Sequence, residues 1–481
     1  MPILLLFLAC LLAAPAWSMP VVTESGPVEG VVTDGVSVFR GIPYAAAPVG
    51  ERRWREPAPA SSWQDVRKAD RFAPACPQTG TYPSDQPTEA TSEDCLFLNI
   101  WRPTGEAEAS LPVLVWVHGG GLVNGSGSLP VYEGSRLARQ GIIVVTFNYR
   151  LGVQGFLAHP DHVSGNYGLL DQIAALSWVQ RNIAAFGGDP ARVTVAGQSA
   201  GSNAISVLTA SPLAKGLFAQ VIGQSGGMFE PMEMMENFRL SGAETDGLSF
   251  AGVHDLAALR RVPEETLLQR PFDPHPILDG HVLTESPYDV YRQHKEAPVR
   301  LLIGYDEGDG LPFLAGRTIT AVNFHDELGM DFPSALVRLL APSSVSNDDE
   351  ARKAAATVER DLRFRWDMWR WARLAAESGG GNRVHFYRFA VGEAPHGSEL
   401  PVVFGGSDRM ARYWLNFIKT GDPNGPGLPT WPAFTEQHHV LMSFFGDKTQ
   451  AEPVPDEAAL RKIEAVYLVP RVLLRVWHKV F

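Results

Sequence analysis

Six short runs rich in apolar and β-branched residues punctuate the chain: LPVLVWVHGG from Leu111, GIIVVTFNY from Gly141, ARVTVAG from Ala191, FAQVIGQSG from Phe218, VRLLIGY from Val299 and RVHFYRFAV from Arg383. Several end in glycine or a polar residue and are followed by helical periodicity, the pattern of an α/β protein with parallel strands. Between Tyr167 and Asn182 the segment YGLLDQIAALSWVQRN places apolar residues at helical spacing, and FGGDP stops it before the next strand. Residues 229–298 and 314–379 read as helices and loops inserted beside or over the sheet as a cap. No internal repeat is visible. Ligands in such sheets collect beyond the carboxyl ends of the strands, where loops and helix N-termini converge.

One strand end stands out chemically. ARVTVAG runs into Gln198, Ser199 and AGSNAISVLTAS, so a Gly-x-Ser-x-Gly sequence sits between a strand and a helix. A sharp turn there brings two backbones together, which suits Gly197 and Gly201, and sets the serine hydroxyl at a helix N-terminus where the dipole favours negative charge. A serine hydroxyl is a weak nucleophile and needs a base and oxyanion donors. The HGGG at His118 ends another strand, and Gly120 and Gly121 there free backbone N–H groups to point at one oxygen. With the N–H of Ala200 they make a three-donor oxyanion hole.

The chain has 481 residues, 45% hydrophobic, enough for one large domain with insertions or for two. Its formal net charge of −12, without long Lys/Arg runs, gives no footprint for nucleic acid. The start, MPILLLFLACLLAAPAWSMP, is too short to span a membrane with charged flanks and ends in small residues. It reads as a secretory signal over residues 1–18, cut near Ala16 or Ser18, although it lacks the usual basic start; a buried N-terminal helix and a lipoprotein cysteine at Cys10 are the alternatives. A secreted or periplasmic protein follows, with residues 19–481 as a single catalytic domain. Removing Cys10 leaves Cys76 and Cys95, an even pair suited to one disulfide, whereas two cysteines without nearby histidines make a poor metal site. The tail LRKIEAVYLVPRVLLRVWHKVF reads as a helix docked on the body, with Pro470 interrupting its periodicity and a membrane-surface helix as the alternative.

FRGIPYAAAPVGERRW from Phe39, SEDCLFLNIW from Ser92, HGGG, NYRLGVQGFL from Asn148, the long stretch from Gly165 through Ser199, and WLNFIKTGDPNGPGLPTWP near the end together resemble the type-B carboxylesterases, the α/β-hydrolase branch that includes cholinesterases. The resemblance implies an α/β-hydrolase fold with helical cap insertions and a triad in the order serine, acid, histidine. The acid follows VRLLIGY, where Asp306, Glu307 and Asp309 stand; ungapped counting favours Asp309, with Glu307 in reserve. The base is His396 in GEAPHGSELPVVFG, just past a strand, whereas His385 lies within that strand and reads as packed. Glu399 and Ser225 resemble residues that support the triad in the family. Ester hydrolysis through an acyl-enzyme follows, with a small-molecule ester as partner and neither metal nor organic cofactor required. Amide or thioester cleavage on the same triad, and a non-catalytic binding relative of the fold, are the rival functions.

Two departures bear on specificity. Gln198 stands where many relatives carry glutamate, which removes a negative charge beside the serine. Asp85 falls where cholinesterases place the tryptophan that binds a quaternary ammonium, which disfavours a choline-ester specialist.

Overall fold

The computed structural model describes residues 16–79, 87, 89–105, 110–161, 164–252, 255–378, 384–406 and 408–480, the last with side chains as far as Val469. Residues 1–15 of the leader, Cys10 among them, Asp85 and the His478 side chain lie outside the described residues.

Twelve strands build the main sheet of the described residues: β1 Ala16–Trp17, β2 Val31–Thr33, β3 Val36–Pro43, β4 Phe97–Pro103, β5 Leu111–Val117, β6 Ile143–Phe147, β7 Gly188–Gln198, β8 Gln220–Gln224, β9 Arg300–Asp306, β10 Val384–Phe389, β11 Val440–Phe445 and β12 Lys448–Pro453. Their spatial order is β1-β2-β3-β4-β6-β5-β7-β8-β9-β10-β11-β12. From β6 to β11 the neighbours pair in parallel, and antiparallel strands close both edges. The six apolar runs are all among these parallel strands. The seventh, VLMSFF of β11, and the short N-terminal edge strands escaped the sequence reading. A strand of two to eight residues that pairs on a sheet margin carries little periodicity of its own.

Successive residues of the central strands point to opposite faces. Val193 and Val195 of β7 join Val113, Val115, Val221, Leu301 and Ile303 in one buried layer, whereas Ala196 joins Leu114, Trp116, Ile222 and Leu302 in the other. The first layer is covered by the helix Tyr167–Asn182, with the bounds its periodicity predicts, and by Ala200–Ala210 and Trp366–Glu377. The second lies under Leu400–Gly405 and Arg409–Thr420. Every central strand is therefore apolar on both sides, which is why the runs read as continuous rather than alternating.

Between β8 and β9 stand the helices Leu240–Ala251, Leu256–Arg260, Glu264–Leu268 and Pro287–Arg292. Between β9 and β10 stand Phe324–Gly329, Ser334–Leu340, Asp348–Arg360 and Trp366–Glu377. The last of these lies on the sheet: a Cβ at Gly223 of β8 would come within 2.8 Å of the Trp371 ring, whose Nε1–H donates to the Tyr291 hydroxyl at 2.7 Å.

Two braces fix the loops at the carboxyl end. Cys76 and Cys95 form a disulfide across 19 residues of sequence. Arg150, just past β6, donates from Nε and Nη2 to the two oxygens of Asp171 at 2.7 Å each, with both side chains buried. Burial raises the Asp171 carboxyl, and the two-pronged guanidinium opposes that rise.

At the N-terminus, Ala16 and Trp17 pair with Val32 and Val31, so cleavage after Ser18 would remove an edge strand. At the other end the helix Glu457–Val480 continues past Pro470, against the expectation that the proline would interrupt it. Proline deletes a single backbone donor, and the helix is anchored upstream, where Leu460 and Ile463 are buried and Glu464 pairs with Arg370 and Arg373. No helix among the described residues is long and apolar enough to cross a membrane.

Candidate active site

Strand β7 passes into the helix Ala200–Ala210 through a single residue, Ser199, held at φ +55° and ψ −129°. A side-chain-bearing residue with positive φ is strained, so its surroundings must impose it. They do so by close approach: a Cβ at Gly201 would lie 2.2 Å from the Val117 carbonyl oxygen, and one at Gly197 2.8 Å from the same atom. The Ser199 N–H donates to Gln224 O at 2.8 Å, tying the turn to β8. The hydroxyl thus stands at the first turn of a helix, where the dipole favours developing negative charge.

The HGGG loop after β5 rests on that turn. A Cβ at Gly119 would meet Gln198 O at 2.7 Å and Ser199 Cβ at 3.2 Å. Gly120 and Gly121 take φ of +99° and +62°, and Gly120 O accepts the N–H groups of Val123 and Asn124 at 3.1 Å. The N–H groups of Gly120, Gly121 and Ala200 make none of the loop and cap hydrogen bonds of the described residues. His118 supports the loop from below: its Nδ1–H donates to Gly119 O at 2.9 Å, its ring stacks on Tyr149 at 4.3 Å, and the Tyr149 hydroxyl donates to His118 O at 2.8 Å. Burial pushes this histidine down to about 4, so it is neutral and serves as a strut.

Asp309 and His396, the expected acid and base, stand on loops after β9 and β10. Asp309 is fully buried, and its Oδ1 lies 2.6 Å from His396 Nδ1 while Oδ2 accepts the Asp306 N–H at 2.9 Å. Glu307 instead turns outward to Arg360 and Arg388, its side chain 39% exposed. Of the acids after VRLLIGY, it is therefore Asp309 that meets the histidine. Gly308 lets the two loops touch, since a Cβ there would lie 2.0 Å from Glu393 O. With Asp309 as acceptor, His396 carries its proton on Nδ1 and presents the Nε2 lone pair, which lies 3.0 Å from Gln198 Nε2.

Glu399 and Ser225 both sit behind this pair. Glu399 Oε1 accepts Gln224 Nε2–H at 2.7 Å, and Ser225 Oγ lies 3.3 Å from the Asp306 nitrogen. His385 is packed edge-on against Trp431 and pushed down to about 4 by burial, in keeping with its place inside a strand.

Two aromatic residues went unnoticed in the sequence. Phe364 stacks on the His396 ring at 4.5 Å and 27°, and Phe313 approaches its edge at 6.1 Å. Phe364 belongs to a wide turn, Asp361–Arg365, of π-helical form between two α-helices, and such bulges gather at functional sites. The sequence placed Phe364 within the helix-and-loop block 314–379, and one extra residue in a turn leaves no mark on a sequence.

Ser199, His396, Gln198 and Gly119–Gly121 line a cavity of about 400 Å³ whose remaining walls, Tyr132, Phe313 and Leu400 among them, are mostly apolar. A cavity of about 480 Å³ beside Phe250 and Phe272 in the first insertion is somewhat larger, but its Ser249 hydroxyl donates to Thr245 O and its His275 ring nitrogens lie at the Asp273 and Asn237 carbonyls rather than at each other.

The profile of the Carboxylesterase family matches residues 18–461. The chain is 38% identical to the fumonisin B1 esterase of Sphingopyxis macrogoltabida, covering 88% of this chain and 85% of the relative, and 35% identical to the para-nitrobenzyl esterase of Bacillus subtilis, covering 87% and 93%. The crystal structure of a Geobacillus stearothermophilus carboxylesterase superposes with a TM-score of 0.80 at 32% identity over 94% of this chain and all of that one. A strand-turn-helix serine over a parallel sheet, in a chain related to esterases along most of its length, leads to one conclusion: this protein belongs to the type-B carboxylesterase family of the α/β-hydrolases and is a carboxylic ester hydrolase.

Proposed function

We propose that the protein hydrolyses small-molecule esters through an acyl-enzyme formed on Ser199, with His396 as general base and acid and Asp309 as its orienting carboxylate. The observation that carries this reading is the 2.6 Å contact between buried Asp309 and His396 Nδ1 beside a serine held at positive φ. Substrate enters, the Gln198 amide gives up the Nε2 lone pair, and His396 takes the Ser199 proton as Oγ attacks the ester carbonyl. The Gly120, Gly121 and Ala200 N–H groups hold the resulting oxyanion, each donor lowering the barrier by roughly 3 kcal/mol. The alcohol leaves with the proton from His396. Water, activated by the same histidine, then frees the acid.

The mostly apolar cavity walls favour neutral acyl or alcohol groups over charged ones. The apolar leader and the Cys76–Cys95 disulfide support export to an oxidising compartment. Hydrolysis of a p-nitrophenyl ester tests the reading: Ser199→Ala is expected to lose about a millionfold in kcat. Equal rates for the variant and the wild type would overturn it.

A further inference from the structure

Behind the triad, three carboxyl groups are buried together. Asp306, Asp309 and Glu399 are each fully inaccessible, and among the described residues the one basic side chain that pairs with any of them is the imidazole of His396, on Asp309. Asp309 has donors for both oxygens, His396 and the Asp306 N–H. The other two are half satisfied. Asp306 Oδ2 accepts the Ser398 N–H at 3.1 Å and its hydroxyl at 3.4 Å, and Glu399 Oε1 accepts Gln224 Nε2–H. Among the described residues Asp306 Oδ1 and Glu399 Oε2 are buried without a donor, although Glu399 directly follows Ser398, whose N–H holds Asp306 Oδ2, and its carboxyl acts on that of Asp306 through charge and a hydrogen bond. Two ionised carboxylates do not make such a contact in a dry site; a single proton between them turns repulsion into a strong hydrogen bond.

We infer that Asp306 and Glu399 hold one proton in common, and that this protonated pair is the clasp joining the loop that carries the triad acid to the loop that carries the triad base. Asp306 sits at the end of β9, three residues before Asp309, and Glu399 sits three residues after His396. The clasp therefore sets the separation of Asp309 and His396 without touching substrate, and both members are positioning residues. It also fixes the charge: the pair bears one negative charge and Asp309 another, so the imidazolium formed during catalysis faces two charges rather than three.

Among the described residues no arginine or lysine pairs with either member. From β8 come the neutral Gln224 and Ser225, and from β10 comes Tyr387, whose hydroxyl burial pushes well above its ordinary range. The helix Arg409–Thr420 contributes Trp414, whose Nε1–H lies 3.4 Å from Gln224 Oε1. Glu307, Arg360 and Arg388 pair with one another away from the clasp. Burial first, and then the charge and hydrogen bond of Glu399, push Asp306 well above the usual carboxylate range. Because the folded value is the higher one, the stability this group contributes is complete at acid pH and is lost as pH rises through that value.

The inference rests on the triad reading for its catalytic consequence but not for the proton itself, and infrared spectroscopy of the whole enzyme separates the two. The wild type near pH 7 is expected to show the C=O stretch of a protonated carboxyl, and that component is expected to vanish in Asp306→Asn and in Glu399→Gln. Asp306→Asn, which keeps a donor toward Glu399, is expected to retain more kcat than Asp306→Ala, whose loosened loops cost up to about 100-fold. The melting temperature of the wild type is expected to fall more steeply than that of Asp306→Asn as pH rises above the unfolded aspartate value of about 4. A carboxyl band missing from the wild type, or unchanged in both variants, overturns the shared proton. Should Ser199→Ala hydrolyse esters like the wild type with the band intact, the triad reading falls and the clasp stands.

Discussion

The two walls of the active site are built from different materials. The serine wall, from His118 to Gly121 and Gly197 to Gly201, is backbone: its geometry comes from glycines pressed against carbonyls, its polarity from N–H groups and a helix terminus, and it carries no charged side chain. The histidine wall is side chain: three buried carboxyl groups, an imidazole and two phenylalanine rings, brought from loops and helices up to 93 residues apart. Backbone donors do not titrate and do not reorganise, which suits a site where charge develops. In the proposed reaction the histidine wall moves the proton, and such a wall needs ionisable groups held by burial and partners.

The contrast predicts how each wall breaks. On the histidine side, Asp309→Asn is expected to keep the fold and lower kcat by about 10⁴, because an amide favours the wrong imidazole tautomer; pre-steady-state ester hydrolysis measures it. On the serine side, Gly120→Ala is expected to cost about 10² to 10³ in kcat with KM much less changed. Its Cβ would lie 2.1 Å from Asn124 O, so the loop must shift and the N–H groups with it. Remote from both walls, His385 is held down at about 4 by burial. Its folded value is below the unfolded one, so stability is full above about pH 6.5 and is lost as pH falls toward 4, by about 3 kcal/mol once both states are protonated. Melting curves of His385→Gln between pH 7 and 4 are expected to be flatter than those of the wild type. Smallest of all, Glu307→Gln weakens a partly exposed pair with Arg360 and Arg388, worth about 0.5 kcal/mol, and is expected to leave kcat near the wild-type value.

The same contrast explains what was legible beforehand. The serine wall is local in sequence: VTVAGQSAG and WVHGGG each hold their strand, turn and function in one stretch, and the close contacts at Gly201 and Gly120 give the reason for glycine at each position. The histidine wall is assembled across the sheet. His396 and the acid turn could be placed past their strand ends, but sequence left Glu307 in reserve, because three acids in five residues differ only in which way the chain turns. The Gly308 contact with Glu393 O decides that, and it joins loops 85 residues apart. Phe364 was hidden by a π-turn, and the nearness of Asp306 to the loop of Glu399 by the 93 residues between them. In the fold, the parallel strands were visible because both faces are buried. β11 was passed over, and Pro470 misled, since one missing donor does not end a helix docked upstream.

The central claim, that Ser199 is the nucleophile activated by His396 and Asp309, is tested most directly by mapping where an organophosphonate attaches. Peptide mass spectrometry is expected to find a single adduct on Ser199 in the wild type and in Glu307→Gln, formed far more slowly in Asp309→Asn and absent from Ser199→Ala. An adduct on another residue, or equally fast labelling of Asp309→Asn, would contradict it.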